Sequence, residues 1–326
     1  MQNYLNFFNQ SISLLIDKWP GTFIHYNEFK NGLELSFKYN DDYQRQMALI
    51  IAFAIIMTVI RKSLWMNFIR NNLIKNGYVS ARNERKFIES GWSFSFYTFT
   101  TIIAALIINS NGFIEDPSRI FTNYSVERPI PVLIKYLYWL EIGFYLHSIY
   151  AVYFINSWKY DSIVMIIHHV VTLFLLSFSY WVRLHNVGVT VIYFHDICDV
   201  ILEGSKCLVC LQLSLIKYLE SKIRIMNFAL FIIAWFYYRL YLFPMISLME
   251  SITFLNEIVS RELFTFGYGL FSFLLIIYCM DVFWAVLIVN LIINGLWRKN
   301  CKIDDPRESD DDDDDDDHNQ NKSKQN

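Results

Sequence analysis

Seven stretches of this sequence are apolar enough, and nearly long enough, to cross a lipid bilayer, and that repetition constrains the fold more than any other feature. They lie at 47–60, 92–108, 131–154, 163–182, 187–202, 225–248 and 263–296. A crossing takes about 20 mostly apolar residues to cover roughly 30 Å of hydrocarbon, so the first and fifth are short. Inside a bilayer each backbone N–H and C=O must find a partner within its own segment, which makes every such stretch a predicted helix. With 54% hydrophobic, 18% aromatic and only 18% charged residues, the 326-residue chain is too oily for an ordinary soluble domain. The expected fold class is all-α, a polytopic membrane protein. The formal charge of -3 hides a mildly basic body, because 310–317 is an unbroken run of Asp. Cys198, Cys207, Cys210, Cys279 and Cys301 sit mostly in or beside apolar segments without a paired framework, so no structural disulfide is expected. The Cys207-x-x-Cys210 spacing lacks a second such pair and reads as apolar packing. Residues 1–21 have no basic start and no sustained apolar core, and so do not read as a signal peptide.

Loop charges orient the spans, since short basic loops stay cytosolic. The loop after the first span carries Arg61, Lys62, Arg70, Lys75, Arg82, Arg85 and Lys86 against Glu84 and Glu89. The next, with Glu115, Asp116, Arg119, Glu127 and Arg128, has no basic excess. After the fifth span come Lys206, Lys217, Lys222 and Arg224; before the last, Glu250, Glu257 and Glu262 face one Arg261. The alternation predicts a lumenal N-terminus and a cytosolic C-terminus. Sequons at Asn9 and Asn123 then fall on lumenal segments, as glycosylation requires. The terminal pattern with Lys322 and Lys324 resembles a dilysine retrieval signal, which points to the endoplasmic reticulum membrane. The organisation expected is a lumenal segment (1–46), a first transmembrane helix (47–60), a basic cytosolic loop (61–85), a six-helix membrane domain (86–299) and an acidic, disordered cytosolic tail (300–326).

Ionisable groups inside spans are costly unless paired or hydrated, so each is a functional candidate. The fourth span holds His168 and His169; the fifth holds His195, Asp196, Asp199 and Glu203, with Lys206 at its cytosolic end. Spacings of three, four and three put Asp196, Asp199, Glu203 and Lys206 on one helical stripe. At about 1.5 Å per residue the histidines lie about 11 Å and Asp199 about 10 Å from the cytosolic side, so the two clusters meet at one level. A neutral imidazole whose second nitrogen is oriented by a carboxylate can take a proton from an attacking amine, or accept an acyl group transiently. A metal site is the competing reading, since His and Asp at helical spacing also bind zinc or iron. A transporter is a further rival, weakened because the charges gather at one level instead of forming a string across the bilayer.

From His168 to Lys206 the chain reads HHVVTLFLLSFSYWVRLHNVGVTVIYFHDICDVILEGSK. This closely resembles the longevity-assurance (Lag) motif of the ceramide synthases within the TLC domain. The match includes His168, His169, Thr172, Ser177, Tyr180, Gly188, His195, Asp196, Asp199, Glu203 and Lys206; flanking similarity takes in Trp92 to Tyr97, Glu141, Tyr145, Lys159-Tyr-Asp161, Arg239, Phe243-Pro244 and Trp284. The resemblance implies six helices of a TLC-type bundle around a lipid cavity, and transfer of a fatty acyl group from acyl-CoA to the amine of a sphingoid base. It implies His168, His169, Asp196 and Asp199 as catalytic residues, with Tyr145, Thr172, Ser177, Tyr180, His195, Glu203, Lys206 and Arg239 supporting or binding substrate. No metal and no cofactor are expected beyond the co-substrate acyl-CoA. Membrane lipid is an expected partner, nucleic acid is not, and association as a homo- or hetero-dimer is left open. Ser309, followed directly by the Asp run, matches the family's phosphorylatable tail serine. The chain departs from many animal members in having no room for a homeobox-like insert after the first span, and in carrying Asp281 where relatives often have His or Asn. Arg239, Glu141 and Asp281 fall at a common depth of roughly 20 Å, so Arg239 is expected to be neutralised by one or both acids. The non-enzymatic rival within the TLC proteins lacks the full His-His to Asp-x-x-Asp constellation, which is intact here.

Overall fold

The computed structural model describes residues 43–125, 127–156, 161–212, 214–259 and 265–297. Asn9, Ser309, Lys159, the acidic run and the terminal lysines lie outside them. The described residues form seven long helices. α1 is Tyr43–Val59 continued through Ile60–Trp65, Met66–Ile69 and Arg70–Ile74; α2 is Glu84–Asn111, α3 Val132–Phe154, α4 Ser162–Trp181 and α5 His185–Cys210. α6 runs from Ser214–Ala234 through a wide-turned stretch, Trp235–Leu248, into Met249–Val259, and α7 is Thr265–Trp297. Five of the seven, all but α3 and α5, are long and apolar enough to cross a membrane. α3 and α5 have comparable lengths, 23 and 26 residues, but carry Lys135, Glu141, His195, Asp196, Asp199 and Glu203. The chain is an all-α, multi-pass membrane protein. Large apolar side chains such as Leu49, Ile55, Ile102, Leu106 and Val286 are exposed on the helices' outer faces, which suits lipid rather than water.

Six helices close a ring in the order α2, α3, α4, α7, α6, α5 and back to α2, while α4 and α5 also touch across it; α1 packs outside, against α3. The closest pairing, α2 with α5, is antiparallel: Thr100 meets Asp196 and Phe94 meets Gly204. Such an approach between membrane helices needs small residues at the seam. A Cβ on Gly204 would come within 2.9 Å of the Phe94 ring. Similarly, a Cβ on Gly188 would overlap the Tyr138 hydroxyl, which donates to the His185 carbonyl at 3.1 Å.

α1 does not end at residue 60. Arg61 and Lys62 mark the end of an apolar stretch, but both are good helix formers, and the buried Arg61 donates to Asn156 Oδ1 at 2.7 Å instead of reaching water. The residues expected to open a cytosolic loop therefore continue the helix to Ile74. α2 stops at Gly112, whose φ of 68° permits the left-handed cap that lets its N–H bond to Ile108 O at 2.9 Å. In α6, Pro244 has no N–H to give to the preceding turn, and the helix around it adopts wider spacing, with Met249 N–H bonded to Pro244 O. Arg239 sits in this stretch.

Candidate functional site

The polar residues of four helices converge where α4, α5, α6 and α7 meet. Arg239, 3% exposed, donates from Nη2 to Asp199 Oδ1 at 2.7 Å and to the His195 carbonyl at 3.1 Å, and from Nη1 to Asp281 Oδ1 at 3.2 Å. Its guanidinium stacks 4.1 Å over the Trp235 ring, whose Nε1 donates to the Asp281 carbonyl at 3.3 Å. The expected pairing with Asp281 is present, but the second acid is Asp199. Glu141 makes no ion pair with Arg239; it lies against Asp196 and Thr100 instead. Rise per residue put Asp199 about 10 Å from Arg239 in depth, a separation that the bond between them removes, and it carried no direction for Glu141.

His195 is fixed at both ring nitrogens, Nδ1 by the Val191 carbonyl at 2.8 Å and Nε2 by Asp281 Oδ2 at 3.1 Å. It is thus the imidazole oriented by a carboxylate. His168 and His169, where Asp196 or Asp199 was expected to supply that orientation, have buried Nδ1 atoms without a hydrogen-bond partner. Aromatic rings hold them: Tyr145 lies 6.5 Å from His168 and 5.5 Å from His169, and Trp284 meets His168 edge-on at 5.4 Å. Asp196 accepts from Thr100 Oγ1 at 2.6 Å.

A narrow apolar cavity opens from this cluster. Tyr145, His168 and His195 line its polar end; His169 is not among its lining residues. On α4 its wall descends through Thr172, Leu175, Leu176 and Ser179, and on α5 from His195 through Val191 and Gly188 to Leu184. Each wall covers eleven residue steps, about 16 Å of helix, or half the hydrocarbon thickness of a bilayer. Phe121, Ser251, Phe254 and Leu255 border the far end. There Phe254 stacks on Phe121 at 4.1 Å and meets Tyr124 edge-on at 5.1 Å. The wall facing α7, from Ile277 to Gly267, is apolar throughout. A narrow, oily cavity with two imidazoles at one end suits a ligand with an alkyl chain and a reactive head.

Not every expected residue belongs here. Ser177 is half-buried away from the cavity, and the Tyr180 hydroxyl donates to Gln46 Oε1 at 2.9 Å, fastening α4 to α1. Tyr180 is twelve residues beyond His168, about 18 Å along the helix. Its place is structural. Glu203 and Lys206 pair at 2.8 Å toward the C-terminal end of α5, one turn or more from Asp199. Thr172 lines the cavity with its hydroxyl unpartnered. Thr100 and Trp235 were missed in the sequence; a lone Thr or Trp in an apolar span carries no signal until its neighbour across the seam is known. Among the described residues no group of three or more His, Cys, Asp or Glu side chains is placed to hold a metal ion. Asn123, in the α2–α3 connection, is exposed and adopts a φ of 56°, a left-handed turn that Asn tolerates.

Comparison with known proteins fits this architecture. The family model of the TLC domain matches residues 86–290, which span α2 to α7. Human "Ceramide synthase 1" is 31% identical over 272 residues, covering 81% of this chain and 76% of its own length. "Ceramide synthase LOH1" of Arabidopsis thaliana is 27% identical over 74% of this chain and 79% of its own. "Ceramide synthase hyl-1" of Caenorhabditis elegans is 26% identical over 66% and 59%. A six-helix ring matched by the TLC model, with relatives of this coverage in animals and a plant, leaves one conclusion: the chain belongs to the ceramide synthases of the TLC-domain family.

Proposed function

We propose that this chain makes ceramide or dihydroceramide by moving a fatty acyl group from acyl-CoA to the amine of a sphingoid base, and that His168 is the residue that meets the reacting acyl carbon. The observation that carries this reading is the placement of His168: a buried imidazole, with no hydrogen-bond partner on Nδ1, at the polar end of an apolar cavity about 16 Å long. The alkyl chain of the donor fills the cavity and the thioester lies at the imidazole. His168 takes a proton from the amine as its nitrogen attacks the carbonyl carbon, and returns it to the departing thiolate. An acyl-imidazole formed first uses the same atom and the same proton balance. Asp199, Arg239, Asp281 and His195 hold the wall opposite; His169 and Tyr145 pack against the reacting ring. The reaction draws on no metal or other cofactor.

The site reads as open to the cytosolic side, with the chain in the endoplasmic reticulum membrane, N-terminus lumenal and C-terminus cytosolic. The loop charges support this orientation, and so does the exposed turn at Asn123, where a lumenal glycan would attach. Ser309 stands as a site for an acidophilic kinase, and Asn9 as a second glycosylation site.

Microsomes containing the full chain, given a sphingoid base and acyl-CoAs of several lengths, should form amide product, and His168→Ala and Asp199→Ala should abolish it. Product that persists in both variants overturns the site. Absence of product from every donor overturns the reaction. Activity lost to a chelator and restored by one particular metal overturns the cofactor-free reading.

A further inference from the structure

Charge is unevenly distributed across the buried cluster. Both terminal nitrogens of Arg239 are committed, to Asp199, Asp281 and the His195 carbonyl. Two more carboxyl groups remain, and neither has an ion-pair partner among the described residues. Glu141 is 0% exposed, and its carboxyl faces the Asp196 carboxyl and the Thr100 hydroxyl. Asp196 is 1% exposed and accepts from the Thr100 hydroxyl at 2.6 Å. They come from different helices, Glu141 from α3 and Asp196 from α5, and face each other beside Thr100 of α2. Two buried carboxyl groups that face each other with one hydroxyl donor beside them and no cation are rare in a folded protein, and their unfilled acceptor sites suit a donor from elsewhere. Neither carboxyl group is among the residues lining the cavity, but one side chain reaches both places. Tyr145, one turn after Glu141 on α3, faces both carboxyl groups and also lines the cavity beside His168.

We propose that Glu141 and Asp196 form a receptor for a protonated primary amine, the ammonium head of the acceptor substrate, held across Tyr145 from His168. This deepens the acyl-transfer reading above and rests on it. An ammonium group has three donors and no acceptor, the complement of two carboxylates with unfilled lone pairs. The same pair then performs the step that an amine needs before it can attack. One N–H bond breaks and its proton passes to a carboxylate oxygen, which leaves a neutral amine with a free lone pair. Its nitrogen forms the bond to the acyl carbon, the carbon–sulfur bond breaks, and the second proton goes by way of His168 to the thiolate. The proton on the carboxylate returns to solvent. Ammonium and thioester have become amide, thiol and one proton. Without an amine present, the two carboxyl groups can share a proton with each other, and a purely structural pair would do only that.

The test uses Glu141→Gln in the full-length protein in microsomes, with sphinganine and an acyl-CoA varied separately. The expected result is a KM for sphinganine raised about tenfold or more, the loss of one charge-assisted contact, with the KM for acyl-CoA within about twofold. In detergent, sphinganine should raise the melting temperature of the native protein, whereas its N-acetyl analogue, which has no cation, should not; Glu141→Gln should lose the difference. If Glu141→Gln does not fold, Glu141→Asp keeps the charge, and the same two measurements apply to it with a smaller rise in KM. An unchanged KM for sphinganine, or an equal rise for both substrates, overturns the receptor. So does equal stabilisation by the cationic and neutral ligands. These outcomes differ from failure of the reaction itself, in which the native chain makes no amide from any donor.

Discussion

His168 and His195 face the polar end of one cavity from adjacent helices and are both buried, yet their ring nitrogens meet opposite surroundings. His195 faces a carbonyl at 2.8 Å and a carboxylate at 3.1 Å, so both of its ring nitrogens are already engaged by the protein. His168 packs against the rings of Tyr145 and Trp284 and has a buried Nδ1 without a hydrogen-bond partner. An imidazole that costs desolvation and gets no hydrogen bond in return makes sense as a group kept available for a ligand. The difference shows that histidines in a span can be sorted into structural and reactive by what their second nitrogen touches.

The sharpest way to break that contrast is to remove each imidazole. His168→Ala should lower amide formation by about 10²–10⁴-fold, the usual worth of a positioned proton-transfer group, while leaving the melting temperature of the solubilised protein close to native. His169→Ala, which removes a ring outside the cavity, should cost less activity. Quantifying product per unit of folded protein in each variant decides it. Comparable losses from His168→Ala and His195→Ala, both with native stability, would erase the distinction.

The next largest effect should come from the anchor on the His195 side. Arg239→Met leaves Asp199 and Asp281 buried without their cation, a change worth about 3–5 kcal/mol when one partner of a buried pair is lost. Thermal melting should show it before any assay does. Folding and activity both intact would mean that the carboxyl groups do not need the guanidinium. His195→Ala should be milder, about 1–3 kcal/mol for a buried acceptor left unsatisfied at Asp281, with activity falling in proportion to folded protein and no further.

Much of this arrangement was legible in the sequence, and the part that was not has a single physical cause. Spacing along one helix is fixed by 3.6 residues per turn, so the stripe from Asp196 to Lys206, on which the structure pairs Glu203 with Lys206, followed from residue numbers alone. Depth also follows from residue numbers, and it placed Arg239 beside Asp281. Azimuth does not. Glu141 was expected beside Arg239 and Asp199 was not, and the packing of α5 on α2, permitted by Gly204, turns Asp199 toward Arg239 and Asp196 toward Thr100. Tyr180 and Ser177 belong to the motif but not to the cavity lining, because a contiguous motif on a helix spans more height than one site does. The continuation of α1 past Arg61 was hidden for another reason: a buried arginine bonded to Asn156 has the same letter as a loop arginine.

The smallest predicted effect tests the contrast from the other end of the cavity. If the acyl carbon sits at His168, chain length is measured from that imidazole down to the aromatic floor, where Phe254 stacks on Phe121. Phe254→Ala opens the floor without touching the polar end, so rates with short acyl-CoAs should stay near native. Longer donors should gain, by about tenfold in the ratio of long to short products, which is at the low end of what a methylene gained or lost in an apolar pocket is worth. The measurement is a product profile from a mixture of acyl-CoAs with one sphingoid base. An unchanged profile would show that the acyl chain does not run toward this floor. A second profile, with one acyl-CoA and sphingoid bases of several lengths, would then show whether the cavity holds the other substrate's tail. In that case the amine, not the acyl carbon, would be the group delivered from the cavity to His168, and the two substrates would exchange places around an imidazole whose free nitrogen serves either one.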